Sequence, residues 1–133
     1  MKSMYIVIVI LFCLPMGCAV LSDQYKEDEY DRTMYTYETA LQLSDFKTVC
    51  QFVDPAVMSR KTCVSRFGRI KIADYALTGM TVAEDRLKVH QEIEIEYYPL
   101  DNIILKKTQF SQSWAYQKDN KKWILENGPP QIP

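Results

Sequence analysis

Three glutamates spaced every second residue are the first side chains in the sequence with a chemistry to consider. Glu92, Glu94 and Glu96 would share one face of a β-strand, where successive side chains point to alternate sides. Paired carboxylates can do acid–base work when burial separates their pKa values. Lys106 and Lys107 in the following predicted strand offer partners of opposite charge. Cross-strand ion pairs on an outward face are therefore the favoured interpretation of this row.

His90 and Asp74 are the other candidates for proton transfer. His90 is the only histidine, and its position between charged residues places it on the same outward face as the glutamates. Asp74 falls in the preceding predicted strand and is a candidate pocket acid, with a hydrogen-bonded strand-end carboxylate as the alternative. No Ser-His-Asp, Cys-His or phosphate-loop arrangement is visible, so we assign no catalytic residue and expect no cofactor. A single histidine also excludes a multi-histidine metal site within one chain.

Two cysteines, Cys50 and Cys63, fall in the predicted helical half of the chain. A disulfide between them would close a loop of about 13 residues and stabilise the fold by about 3 kcal/mol on the loop-entropy model. The alternative is two buried thiols that pack as small apolar side chains. Neither their spacing nor the number of ligands fits a zinc site, so no metal is expected.

Composition bounds the class of protein. The chain has 133 residues, of which 47% are hydrophobic and 25% charged, and its formal net charge is −1. These values predict one folded domain rather than a disordered chain. Acidic and basic residues are interspersed, so there is no electrostatic footprint for nucleic acid.

The N-terminus has the pattern of a secretory signal. Lys2 precedes an unbroken apolar run over residues 6–14, and small residues follow it. Nine apolar residues are too few to span a bilayer as a helix, which needs about 20. A charged start, a short apolar middle and a small-residue exit predict a signal peptide over residues 1–17. The alternative is a buried N-terminal strand or helix.

The exit of this segment resembles a bacterial lipobox, in which a small residue precedes the cysteine that becomes the lipidated N-terminus. Gly17 and Cys18 match, whereas Pro15 stands where the family usually has Leu. The resemblance implies palmitate and other acyl chains on Cys18, followed by a tether over residues 18–24. Ala19, rather than Asp, resembles lipoproteins of the outer membrane that face the periplasm. Cleavage after Ala19 to give a soluble secreted protein is the alternative.

A first helix is predicted from Ser22 to Leu43. Its apolar positions fall at i, i+4, i+7 and i+11, which defines one face of a helix: Tyr30, Met34, Tyr37 and Leu41. Tyrosines at this spacing can be interpreted as a ligand-stacking box or as core packing, and core packing is the simpler interpretation.

Two shorter helices are predicted after it. Ser44-Asp45 offers an N-cap for a helix whose apolar positions run from Phe46 to Val53. Asp54-Pro55 opens a third helix that reaches Phe67, with Val57, Val64 and Phe67 pointing inward. Gly68 is its predicted C-terminal stop.

The second half of the chain predicts a four-stranded antiparallel meander. Turn residues separate strands over 69–82, 86–98, 103–116 and 122–125. Gly79 predicts an irregularity in the first strand, because glycine inside a strand often marks a bulge. The proline-rich tail, residues 128–133, cannot continue a strand.

The central hairpin allows a register to be predicted. A short loop centred between Leu100 and Asp101 places Leu87 opposite Trp114 and Glu94 opposite Lys107. This register puts the apolar row of the central strand on the same face as Phe110 and Trp114, whereas a slip by one residue would expose that row. Four residues then form the candidate pocket between helices and sheet: Tyr37, Phe110, Trp114 and Asp74.

Helices followed by a bent antiparallel sheet resemble the cone-shaped NTF2-like (cystatin-like α+β) fold, here over residues 25–133. The chain is also similar to small uncharacterised bacterial envelope lipoproteins. The segments that carry this similarity are short and mainly structural: residues 35–45, 52–55, 93–98, 114–116 and 122–125. The resemblance implies three helices packed on one face of a strongly bent sheet.

Two classes of function follow as expectations. The first is a non-enzymatic envelope protein that binds an envelope protein or a small hydrophobic ligand. The second is a pocket enzyme of the NTF2-like type, an isomerase or dehydratase acting on a hydrophobic substrate. A homodimer packed through the sheet is compatible with both. An interior filled by large rings favours the binding protein, and Tyr97, Phe110, Trp114 and Trp123 are enough to fill a small cone.

Overall fold

The computed structural model describes residues 17–133, with side chains from residue 23 onward. Residues 1–16 of the signal peptide predicted over residues 1–17, and the side chain of Cys18, lie outside the described residues. The helical elements are α1 Gly17–Gln42, α2 Phe46–Val49, a 3₁₀ helix Cys50–Phe52, and α3 Arg60–Phe67. The strands are β1 Ile70–Val82, β2 Lys88–Pro99, β3 Lys106–Gln117 and β4 Lys122–Leu125. The strands are antiparallel in the order β1-β2-β3-β4, which confirms the predicted α+β arrangement of three helices and a four-stranded sheet.

Helix α1 packs its predicted apolar stripe against the sheet. Met34, Tyr37 and Leu41 are buried, and Tyr30 is half-buried. Residues 18–24, expected as a tether, belong to the backbone of α1. After the helix, Ser44 adopts a left-handed conformation with φ of 57°. Its Oγ accepts a hydrogen bond of 2.9 Å from the backbone N–H of Ile72, which ties the end of α1 to β1.

The second helix is shorter than predicted. Asp45 caps it as expected, because its side chain accepts hydrogen bonds from the backbone N–H and the hydroxyl of Thr48. Only one α-helical turn follows before the chain tightens into the 3₁₀ helix. Val53, predicted as the last residue of the helix, instead pairs with Leu125 beside β4.

The prediction that the third helix begins at Pro55 is wrong, because α3 begins at Arg60. Asp54 forms a turn instead: its Oδ1 accepts a hydrogen bond of 2.9 Å from the N–H of Ala56. An Asp side chain that bonds to the backbone two residues ahead competes with helix formation. Val57, predicted to point inward, is consequently half-exposed.

Helix α3 is capped at both ends by local contacts. Ser59 Oγ accepts a hydrogen bond of 3.2 Å from the N–H of Thr62, as an N-cap does. Gly68 ends the helix as predicted, with φ of 60°, a conformation that glycine adopts without a Cβ clash.

A disulfide joins the 3₁₀ helix to α3. Cys50 and Cys63 are bonded, with 5.8 Å between their Cα atoms, and both side chains are buried. Beside them, the rings of Phe46 and Phe67 stack with centroids 4.2 Å apart. The short helices therefore form one packed unit next to the sheet.

Strand β1 pairs with β2 through two irregularities. The register shifts between Ile72 and Asp74, and again between Leu77 and Gly79. The second shift is the irregularity predicted at Gly79. Each shift changes which side chains of β1 face the helices, because side chains alternate along a strand.

The predicted register of the β2–β3 hairpin is wrong by two residues. Trp114 lies opposite Val89 rather than Leu87, and Lys107 opposite Glu96 rather than Glu94. The cause is the connection: residues 100–105 lie outside both strands, so the hairpin is centred later than a short loop would place it. A two-residue shift keeps every side chain on its predicted face, because the side-chain period of a strand is two.

The helices cover the inner face of the sheet unevenly. On β2, every inward residue from Val89 to Tyr97 is buried. On the edge strand β1, the inward side chains of Leu77, Met80 and Val82 are about half exposed. The inner face thus has a covered part, over β2 to β4, and an open part along β1.

Candidate functional site

The predicted pocket residues do not enclose a pocket. Tyr37 and Trp114 are fully buried, and their rings pack edge to face with centroids 5.0 Å apart. Phe52 packs against both rings, with centroid distances of 5.8 and 6.2 Å. Phe110 is half-buried at the margin of this cluster. The space that would hold a ligand in the covered part is therefore filled by aromatic side chains.

Asp74 is not brought to these rings. Its side chain is exposed, it lies opposite Glu96 of β2, and its Oδ1 accepts a hydrogen bond of 2.8 Å from the N–H of Tyr75. The register shift after Ile72 turns Asp74 toward the outer face. The pocket-acid interpretation is thus wrong, and the alternative of a hydrogen-bonded carboxylate describes this residue.

A pair of buried glutamines lies under α1, where the sequence predicts apolar residues. Gln91 of β2 and Gln112 of β3 are directly opposite each other, and both are almost completely buried. Both polar atoms of Gln112 have a partner: its Nε2 donates to Tyr37 Oη at 2.8 Å, and its Oε1 accepts from Trp114 Nε1 at 3.3 Å. The Oε1 of Gln91 has no hydrogen-bond partner among the described residues.

Gln91 connects the interior to the surface through Tyr30. Its Nε2 donates to the hydroxyl of Tyr30 and lies 3.5 Å from Met34 Sδ. Burial raises the pKa of Tyr30 to about 12, although the bond to Gln91 opposes this shift. Tyr30 therefore stays protonated at neutral pH, and its hydroxyl lies 3.7 Å from Met80 Sδ.

A groove of about 420 Å³ opens beside Tyr30, between the first half of α1 and the open part of the sheet. This volume is within the range of small-molecule sites. Its apolar lining comes from α1, β1, β2 and β4: Tyr30, Met80, Val82, Val89 and Trp123. Its charged rim consists of Glu27, Asp31 and Arg86.

The groove is held by contacts at both ends. Glu27 Oε1 and Arg86 Nη1 form an ion pair of 2.8 Å that joins α1 to the β1–β2 turn. Trp123 Nε1 donates a hydrogen bond of 3.0 Å to the backbone oxygen of Lys26, and its ring packs edge to face on Tyr30 with centroids 5.2 Å apart. The aromatic floor is therefore fixed, while the aliphatic side chains of Met80 and Val82 are half-exposed.

A carboxyl and a hydroxyl stand between α1 and β1, farther along the helix. Burial raises the pKa of the half-buried Glu38, and burial also raises the pKa of Tyr75 strongly, to which the charge of Glu38 adds. The hydroxyl of Tyr75 is buried and has no hydrogen-bond partner among the described residues. Two buried polar atoms of the inner face therefore lack a partner among the described residues, this hydroxyl on β1 and Gln91 Oε1 on β2.

The outer face brings His90 into a serine–histidine–glutamate arrangement that the sequence did not predict. His90 Nε2 lies 2.9 Å from Glu92 Oε1, and Nδ1 lies 3.4 Å from Ser113 Oγ. The hydroxyl of Ser111 also donates to both oxygens of Glu92, at 2.7 and 2.9 Å. Register creates the cluster, because Ser113 lies opposite His90 and Ser111 opposite Glu92.

The donors and acceptors of this cluster bond to one another or to neighbouring residues. The N–H of Ser113, which could serve as an oxyanion donor, donates instead to Asn127 Oδ1 at 2.9 Å. The bond to Ser111 and that to His90 lower the pKa of Glu92, so this carboxylate is ionised at neutral pH. The arrangement matches a solvated sheet surface better than a nucleophilic centre, which needs free donors for a developing oxyanion.

The glutamate row forms cross-strand ion pairs with one of its two predicted partners. Lys107 Nζ lies 3.2 Å from Glu94 and 3.3 Å from Glu96. Bonds to Gln109 and Lys107 lower the pKa of Glu94, and the two glutamates raise the pKa of Lys107. Lys106 lies opposite the inward-facing Tyr97 and takes no part in the row. Within residues 17–133, no group of three or more potential ligands could hold a metal ion.

The groove residues carry a weak signal in the sequence. Tyr30, Val82, Val89 and Trp123 have the spacing of ordinary core positions, and only tertiary packing leaves some of them half-exposed. The clearest sign in the sequence is Gln91, which bonds to the groove residue Tyr30, because it interrupts an otherwise apolar row of β2.

Solved structures share this fold at low sequence identity. A protein from Exiguobacterium sibiricum 255-15, named for a Ca/calmodulin-dependent kinase II association domain, superposes with a TM-score of 0.60 at 10% identity, covering 81% of this chain and 95% of that chain. A SEC-C motif-containing protein from Psychrobacter arcticus gives 0.54 at 14% identity, covering 80% and 64% of the two chains. A conserved protein from Planctomyces limnophilus DSM 3776 gives 0.51 at 11% identity, covering 74% and 89%. At such identities the likeness is one of fold alone.

The sequence comparisons identify no family for this chain. No family model matches the sequence, and no curated protein matches it. Among the helices within residues 17–133, none combines the length and the apolar character needed to cross a membrane.

Proposed function

We propose that the protein is a lipid-anchored component of the bacterial cell envelope, attached through Cys18 to the outer membrane on its periplasmic side. The apolar run over residues 6–14 and the Gly17-Cys18 pair support this proposal. Acyl chains on residue 18 would supply the anchor, because each buried CH₂ contributes about 0.8 kcal/mol. The bond between Cys50 and Cys63 agrees with an oxidising compartment, where disulfides persist.

We further propose that residues 25–133 form an NTF2-like cone. Helices that precede a four-stranded antiparallel sheet support this assignment, as do the two irregularities of β1. Irregularities of this kind bend a strand and increase its twist, which a cone requires.

The proposed activity is binding rather than catalysis, and the groove is the feature that supports it. It has an apolar floor of rings and half-exposed aliphatic side chains, and the rings of Tyr37 and Trp114 fill the interior behind it. A small hydrophobic ligand would bury these surfaces at about 25 cal/mol per Å² of apolar area. The proposed role is therefore the binding of a small apolar molecule within the envelope, on the periplasmic side of the outer membrane.

Anchoring is tested by intact mass and fractionation in a Gram-negative host, with the wild type beside Cys18→Ala. We expect the wild type in the membrane fraction with the mass increment of acyl chains, and the variant without the increment and released from the membrane. Equal mature mass and a soluble periplasmic location for both would contradict the anchor.

Binding is tested separately with the neutral apolar probe N-phenyl-1-naphthylamine, whose fluorescence rises in apolar sites. We expect Met80→Asp and Val82→Asp in the full chain to abolish the enhancement, because each places a charge in the groove. Leu77→Asp is the matched control: it lies on the same open part of β1 but outside the groove lining. Equal loss in all three variants, or no loss in any, would contradict a site in the groove.

A further inference from the structure

The β2–β3 connection exposes the most apolar surface segment of the described chain. Four of its six residues are large aliphatic side chains, and each has between 50 and 81% of its surface exposed: Leu100, Ile103, Ile104 and Leu105. Large exposed apolar patches on soluble domains commonly mark contact sites. We call residues 100–105 the apolar tip.

Backbone hydrogen bonds give the apolar tip a defined shape. The N–H of Leu100 donates to the oxygen of Arg69 at 3.0 Å, which fixes the tip to the beginning of β1. The N–H of Asn102 donates to Pro99 at 3.3 Å, and that of Ile104 to Asn102 at 2.7 Å. Two successive tight turns therefore form a convex knuckle that projects its side chains outward.

Basic side chains surround this knuckle. Arg69, Lys71 and Lys106 are exposed, and none of them forms an ion pair within residues 23–133. Lys71 lies opposite Tyr98 and Lys106 opposite Tyr97, so the two lysines flank the base of the tip on the two faces of the sheet. The single acidic residue of the tip is Asp101.

We propose that the apolar tip is a membrane-contact site that inserts into a lipid surface carrying anionic headgroups. A convex apolar knuckle enters the headgroup region, and a collar of Lys and Arg binds the phosphates at its margin. A protein partner of ordinary size would need about 800 Å² on each side, more than four side chains on a narrow tip present.

The position of the tip gives this contact a geometric consequence. The ion pair between Glu27 and Arg86 joins the first half of α1 to the end of the sheet opposite the tip. The 12 residues of β2 separate the two ends by roughly 36 Å. The tip contact does not depend on the proposed lipid at Cys18. With both present, the domain lies with its long axis along the membrane.

The insertion is tested by placing a tryptophan on the tip. Full-length Ile103→Trp in a Cys18→Ala background is mixed with vesicles of phosphatidylglycerol and phosphatidylethanolamine that carry brominated acyl chains. Trp114 and Trp123 are buried, so their signal is subtracted using the parent chain. We expect a blue shift and quenching of the new tryptophan, which weaken in high salt and with phosphatidylcholine vesicles alone.

Matched variants separate insertion from general attachment. Tyr35→Trp places a tryptophan on an equally exposed position of α1 and should not be quenched. Leu105→Asp should weaken vesicle binding by about tenfold or more, and Lys106→Glu less, because the apolar contact dominates. An unquenched tip, or equal quenching at residues 103 and 35, would overturn the proposal. So would a tip variant that changes the oligomeric state instead, which would identify a protein interface.

Discussion

The covered and open parts of the inner sheet face both carry apolar residues but have different environments. In the covered part, Trp114 and Gln112 are completely enclosed, and each polar atom described for them has a partner. In the open part, Met80 and Val82 are half-exposed. Gln91 of β2 lies at the edge of the covered part, and its Oε1 lacks a partner among the described residues. Gln91 is paired with Met80 of the open part on one side and with Gln112 of the covered part on the other, so it lies at the boundary between the two parts.

If the groove binds a ligand as proposed, stability and binding fall on different parts of one surface. The covered part stabilises the fold through ring packing and satisfied hydrogen bonds. The open part leaves apolar area exposed, at a cost in stability. Four predictions test this division.

The largest effect is expected from truncation of the covered part. Trp114→Ala should lower the free energy of unfolding by about 3–5 kcal/mol, because it removes a fully buried ring packed on Tyr37 and Phe52. Met80→Ala, from the open part, should cost about 1 kcal/mol or less, because its side chain is half-exposed. Urea unfolding followed by circular dichroism measures both. Equal costs would remove the distinction between the two parts.

Loss of the disulfide should come next. The double variant Cys50→Ala, Cys63→Ala is expected to lose about 3 kcal/mol, given the 13-residue separation. Because neither cysteine lines the groove, binding of the naphthylamine probe under native conditions should persist. A reducing agent should shift the wild-type urea midpoint toward that of the double variant and leave the variant unchanged. A loss of probe binding would instead couple the two parts.

The glutamine pair tests the boundary itself. Gln112→Leu should cost about 1–3 kcal/mol, because it leaves Tyr37 Oη and Trp114 Nε1 buried without partners. Gln91→Leu should cost less than about 1 kcal/mol. It removes the hydrogen bond to Tyr30, but it also removes a buried oxygen that has no partner, and the second effect offsets the first. The two unfolding midpoints, measured in the same urea series, give the comparison. The reverse order would mean that Gln91 is fully satisfied in solution.

The smallest effect concerns the pH dependence of Glu38. Burial raises the pKa of this carboxyl, so the native state favours its protonated form, and stability is lost as pH rises through the native pKa. Glu38→Gln should therefore raise Tm by about one to two degrees at pH 7 and change it little at pH 3.

Asp45 provides a control of opposite sign. Hydrogen bonds from Thr48 lower the pKa of its carboxyl, so its contribution is lost as pH falls. Asp45→Asn should accordingly lower Tm at pH 7 and have less effect at pH 3. Scanning calorimetry at both pH values measures the two variants, and a gain for Glu38→Gln that persists at pH 3 would show that the gain is not electrostatic.

Local chemistry was enough to determine the class of fold and the faces of its elements. The alternation along β2 and the stripe of α1 depend only on the periods of strand and helix. Asp45 began a helix and Gly68 ended one where predicted, because capping involves residues three or four apart. The two-residue error in the hairpin left Trp114 on its predicted face, because the side-chain period of a strand is two.

Tertiary structure decided everything that depends on how distant segments meet. The length of the β2–β3 connection set the register, and with it the approach of Ser113 to His90. The position of α1 across the sheet determined which apolar residues were buried and which, like Met80, line a groove. A sequence period specifies the side on which a residue lies. Whether another element covers that side is settled by packing between segments far apart in the chain.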